Sequence, residues 1–225
     1  REAAIGRRMI QVGFMRRFDP GYAAARRFIE EGRIGSLVAI HCVTLDPFPP
    51  AYGYIATSGG IFADLSIHDF DVARFLMGDE VTEVFALGGV YKYPPFREYG
   101  DVDNAVCTLR FAGGAFGTVR GGRTATYGYD IRAEVYGTEG ALRVGYERQT
   151  PVLLLDKGGV SHDFVPYFFE RFDAAYVLEL KAFVEAVRRG DPPPVTVEDG
   201  ERALAIALAA RRSLETGRPE RVEVG

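Results

Sequence analysis

The feature that most limits the fold is a long run of strand-like segments in the middle of the chain, joined by glycine-rich turns. The segments are "EVTEVFALGGVY", "NAVCTLRF", "FGTVRGGRTAT", "YDIRAEVYG", "ALRVGY", "PVLLLD" and "VSHDFV". Short turns such as "AGGA", "GTEG" and "KGG" are typical of hairpins, so this pattern predicts an antiparallel meander. Helical patterns lie before and after the run rather than between its strands. The predicted fold is therefore α+β, a large open and mostly antiparallel sheet flanked by helices.

The flanking segments complete this prediction. Residues 1–8 suggest the end of a helix, and "MIQVGF" (9–14) suggests a strand; a helix follows in "FDPGYAAARRFIEEGRIG". "SLVAIHCVTLD" (36–46) predicts a strand, and the stretch 47–60, rich in Pro and Gly, predicts an ordered loop. Two amphipathic helices, "ERFDAAYVLELKAFVEAVRRG" and "VEDGERALAIALAARRSLETG", close the chain.

Composition limits the partners that this chain can bind. The formal net charge is −4, which argues against nucleic acid because phosphate binding needs a basic face. No apolar run approaches the roughly 18 residues that a membrane span requires. Cys42 and Cys107 are isolated in strand-like segments, which favours buried thiols in a reducing compartment over a disulfide. We therefore expect a cytoplasmic protein that binds neither nucleic acid nor membrane.

The segment "GGIFADLSIHDFDVARFLMG" (59–78) combines an apolar helical face with several ionisable side chains. Asp64 and His68 are four residues apart, so on a helix they project from one side. A histidine with a pKa near neutrality can exchange a proton at pH 7, and a nearby carboxylate can fix its tautomer or bind a substrate hydroxyl. On the same helix Asp69 would point elsewhere, toward solvent or an arginine such as Arg74.

Two other interpretations of this spacing remain open. An ion pair on a helix surface would stabilise the helix by roughly a few tenths of a kcal/mol and have no catalytic role. Alternatively, Asp64 and His68 would bind a metal ion together with His41 or His162. No compact ligand pair or C-x-x-C motif accompanies these residues, so we predict no metal site.

Four stretches of the chain together resemble the Gfo/Idh/MocA oxidoreductases: "QVGFMRRFDPGY" (11–22), the segment 59–78, "YGYDIRAEVYGTEGAL" (127–142) and "ERFDAAYVLELKAFVEAV" (170–187). Their order and spacing also match, so the resemblance covers essentially the whole chain. It implies an N-terminal Rossmann domain that binds NAD or NADP, followed by an α+β domain with a large open sheet. The likeness is greatest to members that oxidise inositol. The implied reaction is oxidation of a hydroxyl of a cyclic polyol or sugar, with myo-inositol as the first expectation.

The resemblance also implies roles for individual residues. His68 would be the general base that takes the proton from the substrate hydroxyl, and Asp64 would bind the substrate and orient that group. Tyr129, in "YGYDI", matches a tyrosine that contacts the polyol. Arg16, in "GFMRR", would lie close to the junction between cofactor and substrate.

This chain departs from the pattern of the members that oxidise inositol in the stretch "VTLDP". Those members carry a His and an Asn where this chain has Thr44 and Asp46. Both residues can hydrogen-bond a hydroxyl, so both are candidate substrate-binding residues. The changed donors and acceptors leave another sugar or polyol open as the substrate, because one well-placed hydrogen bond can decide selectivity.

The cofactor-binding motifs of the family do not occur in this sequence. There is no G-x-G-x-x-G at a strand-to-helix turn and no E-K-P motif, which in the family supplies a catalytic lysine. The resemblance implies that residues 1–14 are a remnant of the last Rossmann helix and strand, and that 15–225 form the substrate-binding and oligomerisation domain. We expect NAD or NADP to be bound mainly by the missing N-terminal domain, and this chain alone to be inactive.

Two further functional classes remain as alternatives. A non-catalytic binding or dimerisation module would fit the missing cofactor half, although the Asp64–His68 pair counts against it. A metal-dependent hydrolase would use Asp64, His68 and His41 and would need bound zinc or manganese. The broad sheet also needs cover, so we expect a homodimer or homotetramer that forms through the sheet.

Overall fold

The computed structural model describes residues 9–145 and 148–223, in which helices pack on one face of a seven-stranded sheet. The helices are α1 (Pro20–Glu30), α2 (Tyr52–Ser58), α3 (Ile61–Asp64), α4 (Ile67–Met77), α5 (Phe168–Arg189) and α6 (Val197–Thr216), with 3₁₀ turns at Met15–Phe18 and Pro94–Tyr99. The strands are β1 (Leu37–Leu45), β2 (Val81–Gly89), β3 (Asn104–Phe111), β4 (Phe116–Gly122), β5 (Asp130–Gly137), β6 (Ala141–Gly145), β7 (Leu154–Asp156), β8 (Gly159–Ser161) and β9 (Glu220–Arg221). None of the helices in the described ranges is long and apolar enough to span a bilayer.

The strand order in the sheet is β6-β5-β1-β4-β3-β2-β9, and β7 and β8 form a separate hairpin. Every neighbouring pair is antiparallel except β1 and β4, which run parallel. The predicted α+β fold with a mostly antiparallel sheet is therefore confirmed. The predicted continuous meander is wrong, because β1 comes from the N-terminal part of the chain and lies between β4 and β5.

Alternation along the strands assigns the two faces of the sheet. In β3, Cys107 and Leu109 are buried, whereas Val106 and Thr108 are exposed. The buried side chains face α4 and α6 and form the core, as expected for a sheet with one packed face. Cys42 and Cys107 are both free and buried, as predicted.

Two predicted segments have different structures. Residues 9–14 form no strand; the Val12 amide instead donates to the carbonyl oxygen of Val195 at 3.1 Å. The predicted loop 47–60 contains α2, which is free of proline and ends at Gly59, where φ is 85°. The predicted helix end at 1–8 lies outside the described residues.

The segment 59–78 is divided into α3 and α4 rather than forming one helix. Gly60, with φ of 84° and ψ of 176°, precedes α3, and the following amide of Ile61 donates to Asp101 at 3.0 Å. Ser66 lies directly over Gly121 in β4, where a β-carbon would come within 2.7 Å of the Ser66 hydroxyl. The close approach to this glycine lets the α3–α4 junction sit against the sheet. It thereby brings Asp64 to Arg123, which directly follows β4.

Candidate active site

A polar network surrounds Asp64, the last residue of α3. One carboxylate oxygen accepts a hydrogen bond from the Tyr54 hydroxyl at 2.7 Å, and the other accepts one from Arg123. Arg123 follows β4, and its second terminal nitrogen donates to Asp46, which follows β1. A single guanidinium therefore bridges two carboxylates from different parts of the chain.

Burial and charge shape the ionisation of this network. Burial raises the pKa of Asp46; the positive charge of Arg123 lowers it, and the negative charge of Asp64 raises it. The hydrogen bond to Asp64 raises the pKa of the Tyr54 phenol above its usual value. With both aspartates ionised, the three charges of Asp46, Asp64 and Arg123 leave a net charge of −1.

Arg16 lies at the centre of a second cluster, which is almost completely buried. Its guanidinium donates to Asp69 at 2.6 Å and to the Thr44 hydroxyl at 3.0 Å, and Thr44 in turn donates to Asp69 at 2.8 Å. Arg16 is 2% exposed, and Thr44 and Asp69 are not exposed at all. The expectation that Asp69 faces solvent or Arg74 is wrong, because the chain restarts its helix at Ile67 and directs Asp69 toward β1.

His68 is half-buried at the start of α4. Its Nδ1 atom is buried without a hydrogen-bond partner, and its ring lies edge to face with Phe14, with 5.8 Å between ring centroids. Burial lowers the pKa of His68 to about 3, with a further contribution from the charge of Arg16. The imidazole is therefore neutral at pH 7, the form that accepts a proton. Asp64 is bonded to Tyr54 and Arg123 rather than to His68, which does not support a simple surface ion pair.

Tyr129 lies just before β5 among aromatic side chains. Its ring centroid is 5.5 Å from that of Tyr167 and 6.5 Å from that of Phe172. The tyrosine is buried, which raises its pKa, and it lies within electrostatic reach of both Arg16 and Asp46. Tyr129 therefore stands between the two polar clusters.

The structure does not bring His41 or His162 to the Asp64–His68 segment. His41 lies on the outer face of β1, where its Nδ1 is 2.7 Å from the Thr118 hydroxyl. His162 is exposed after β8. Within 9–145 and 148–223, no group of three or more His, Cys, Asp or Glu residues is placed to hold a metal ion. A hydrolase metal site of Asp64, His68 and His41 is therefore not assembled.

A cavity of about 600 Å³ lies elsewhere, against β5 and β6. Arg132, Glu134 and Arg143 line it, and none of the six predicted site residues does. Two of these side chains already pair with each other, since Arg143 lies 3.1 Å from Glu134. The candidate site is therefore defined by the chemistry of its side chains rather than by cavity size.

Sequence reasoning missed Arg123, Tyr54 and Tyr167. Arg123 lies in "RGGRTATYGYD", six residues before Tyr129, and looked like part of an ordinary strand end. Tyr54 was assigned to a loop whose helix was not predicted. The available signal was the position of Arg123 at the end of a strand, where polar residues collect next to the ends of neighbouring strands.

A helix-covered open sheet with charged groups at its strand ends matches one known class of protein. Residues 26–224 match the model of the oxidoreductase family, C-terminal alpha/beta domain. The chain therefore belongs to the Gfo/Idh/MocA oxidoreductases. Within that family it is most like the inositol 2-dehydrogenases.

Individual relatives make this similarity concrete. The chain is 46% identical to a scyllo-inositol 2-dehydrogenase (NAD⁺) of Bacillus subtilis, over 95% of this chain and 63% of the relative. It is 45% identical to the myo-inositol 2-dehydrogenase of Thermotoga maritima, over 94% of this chain and 64% of the relative. The structure of Lactobacillus casei scyllo-inositol dehydrogenase with bound NAD(H) and scyllo-inositol superposes with a TM-score of 0.88 and 31% identity, covering 98% of this chain and 66% of that one. The chain thus spans a little under two thirds of the length of these relatives.

Proposed function

We propose that this chain is the substrate-binding part of an NAD(P)-dependent dehydrogenase that oxidises a hydroxyl of a cyclic polyol, with myo-inositol as the first candidate. The observation that carries the proposal is an Asp64 carboxylate fixed by Tyr54 and Arg123, four residues before a His68 that is neutral at pH 7. The names of the relatives, which include scyllo- and myo-inositol dehydrogenases, support the substrate class.

His68 and Asp64 would divide the work on the substrate. His68 would accept the hydroxyl proton, since its imidazole is unprotonated at pH 7. The burial that lowers its pKa also weakens it as a base, so this role requires its pKa to rise when cofactor and substrate are bound. Asp64, held by Arg123 and Tyr54, would accept a hydrogen bond from a substrate hydroxyl and orient the ring. Tyr129, Asp46, Thr44 and Arg16 remain predicted substrate-binding residues; all four are buried, and Arg16 donates a hydrogen bond to Thr44.

The described residues do not fit the dinucleotide itself. In "FAGGAFG", Gly113 and Gly114 lie in the turn between β3 and β4 and Gly117 lies in β4, so these glycines belong to a hairpin and form no phosphate cradle at a helix start. A nicotinamide cofactor supplies the hydride acceptor in this class of reaction. We propose that NAD or NADP is bound mainly by an N-terminal Rossmann domain, with residues 15–225 as the substrate-binding and oligomerisation domain.

Assembly is part of the same proposal. The outer face of the sheet exposes apolar side chains, among them Leu87 and Val106, which pair across β2 and β3. We propose that two or four copies associate through this face, as a homodimer or homotetramer.

Turnover of polyols by the full-length protein tests the proposal. We expect myo-inositol, scyllo-inositol and related sugars to be oxidised with NAD or NADP, and the 225-residue chain alone to show no turnover. His68→Ala should lower kcat by about 10²–10⁴-fold, the range typical of a general base. His162→Ala removes an exposed histidine outside the site and should leave kcat unchanged.

The outcomes discriminate between the candidate functions. If the protein oxidises another sugar in preference to inositol, the changed residues Thr44 and Asp46 would be the first candidates for the difference in selectivity. Wild-type turnover by the His68→Ala variant would remove the catalytic assignment. A full-length protein that binds polyols but oxidises none would favour the non-catalytic module.

A further inference from the structure

Arg123 is the only side chain that contacts both carboxylates of the candidate site in the part of the chain that the structure describes. Its two terminal nitrogens donate separately to Asp46 and Asp64, and its own side chain is only 7% exposed. The two aspartates come from the end of β1 and the end of α3, so no shared element fixes their separation. Arg123 supplies that connection.

The guanidinium suits this task because of its shape. It is planar and presents its donors in a rigid fork, whereas a lysine ammonium is a point charge on a flexible stem. A carboxylate can accept about four hydrogen bonds, so each aspartate retains acceptor sites after binding Arg123. Two carboxylates that bind one guanidinium therefore lie next to each other, and their oxygens can still accept hydrogen bonds.

We infer that Arg123 is a positioning residue that holds Asp46 and Asp64 together as paired acceptors for neighbouring hydroxyls of the substrate. The inference rests on the proposed function, because it assigns the two aspartates to substrate binding. Arg123 would act through them and have no contact with the reacting hydroxyl. The net negative charge of the trio also suits a neutral polyol, since its one cation, Arg123, is already paired with both aspartates.

A second buried arginine provides a matched control. Arg74 is 8% exposed and also bridges two carboxylates, with 2.8 Å to Glu80 and 3.5 Å to Asp199. Its partners lie outside the candidate site. Loss of Arg74 therefore reports the structural effect of breaking a buried bridge of this kind.

The test compares Arg123→Gln, Arg123→Lys and Arg74→Gln in the full-length protein, with myo-inositol as the substrate. Arg123→Gln should raise the KM for myo-inositol by about 10–100-fold, because the loss of well-oriented acceptors weakens substrate binding. It should also move the acidic limb of the pH profile of kcat/KM to higher pH, since a nearby cation lowers carboxyl pKa values. Arg123→Lys should restore the pH profile but not the KM. Arg74→Gln should lower the unfolding temperature and leave KM unchanged.

The inference would be overturned if the wild type is active and Arg123→Gln has the same KM for myo-inositol and the same pH profile as the wild type. If Arg123→Gln does not fold, Arg123→Lys provides the test: a raised KM for myo-inositol supports the inference, and a wild-type KM overturns it. If the wild type oxidises no polyol, the proposed function fails separately. A ¹³C NMR titration of the Asp46 and Asp64 carboxyls then tests the pairing: raised pKa values in Arg123→Gln, with values close to wild type in Arg123→Lys, support it, and unchanged values in Arg123→Gln overturn it.

Discussion

The two buried arginines of the candidate site are in different electrostatic environments. Arg16 has one carboxylate partner, Asp69, and the Thr44 hydroxyl completes a closed triangle with no net charge. Arg123 is shared by two carboxylates and leaves a net negative charge. The first arrangement is suited to rigidity, and the second leaves acceptors for a ligand.

Asp69→Asn is expected to destabilise the protein strongly, because it leaves the Arg16 charge buried and uncompensated. Breaking one partner of a buried ion pair costs about 3–5 kcal/mol. Urea denaturation of the 225-residue chain measures this free energy of unfolding. The control is Glu30→Gln, which breaks an equally short 2.7 Å contact with Arg26 in an exposed position. That change should cost about 0.5 kcal/mol, as is usual for surface pairs. Equal losses for the two variants would contradict the prediction.

His68 should make the stability depend on pH. Burial lowers its pKa in the folded state to about 3, whereas the unfolded value is 6.5. Between these values the unfolded chain binds more protons, so the stability contributed at neutral pH is lost as the pH falls from 6.5 toward 3. The slope from this group is at most about 1.4 kcal/mol per pH unit.

Urea denaturation of the chain across this pH range measures the effect. His68→Gln should flatten the dependence, and His162→Gln should retain it because His68 is still present. An unchanged slope in His68→Gln would show that folding does not lower the pKa of His68.

At the scale of elements, the junction between α3 and α4 decides where the site residues lie. A continuous helix would keep Asp64 and His68 on one side, as the four-residue spacing predicts. The break at Leu65 and Ser66 separates them into two helices and gives Asp64 its own partners. The close contact between Ser66 and Gly121 is the packing interaction that holds this junction on β4.

Gly121→Ala should therefore displace the junction. The added β-carbon would lie 2.7 Å from the Ser66 hydroxyl, and overpacking of this kind costs about 1–3 kcal/mol. The double variant Gly121→Ala/Ser66→Ala should recover most of the loss, because it removes the clashing oxygen. Gly53→Ala, in α2 with no atom within 4 Å of the new β-carbon, should be neutral or stabilising. Chemical denaturation measures all three, and failure of the double variant to recover would contradict the proposed contact.

Local sequence patterns predicted most helices and strands but not the order of the strands in the sheet. The alternation of buried and exposed residues predicted β3, and the glycine-rich turns marked the ends of the strands. Pro20 and the amphipathic spacing that follows it predicted α1. The position of β1 between β4 and β5 depends on a long-range parallel pairing, for which the sequence carries no local signal. The same limit explains Arg123: its residue type was visible, but its bridge joins positions 46, 64 and 123, which only the folded sheet brings together.

At the scale of the whole molecule, one face of the sheet has no helix packed on it among the described residues. The helices cover one face, and the other exposes Leu87 at 55% and Val106 at 39% as a cross-strand pair. Exposed apolar surface of this kind marks sites of association. An antiparallel sheet can also face water on one side, so a charged variant of this face tests the association.

The proposed assembly predicts that charge on this face will separate the subunits. Leu87→Asp/Val106→Asp places two carboxylates on the proposed interface, where association would bury them and bring like charges together. Light scattering on the full-length protein should show a dimer or tetramer for the wild type and a smaller species for the variant. The control, Leu155→Asp/Val160→Asp, changes a cross-strand pair that is 71% and 66% exposed on the separate β7–β8 hairpin, so it adds the same charge outside the sheet. A wild type that is monomeric at every concentration, or a control that dissociates as readily, would contradict assembly through the sheet.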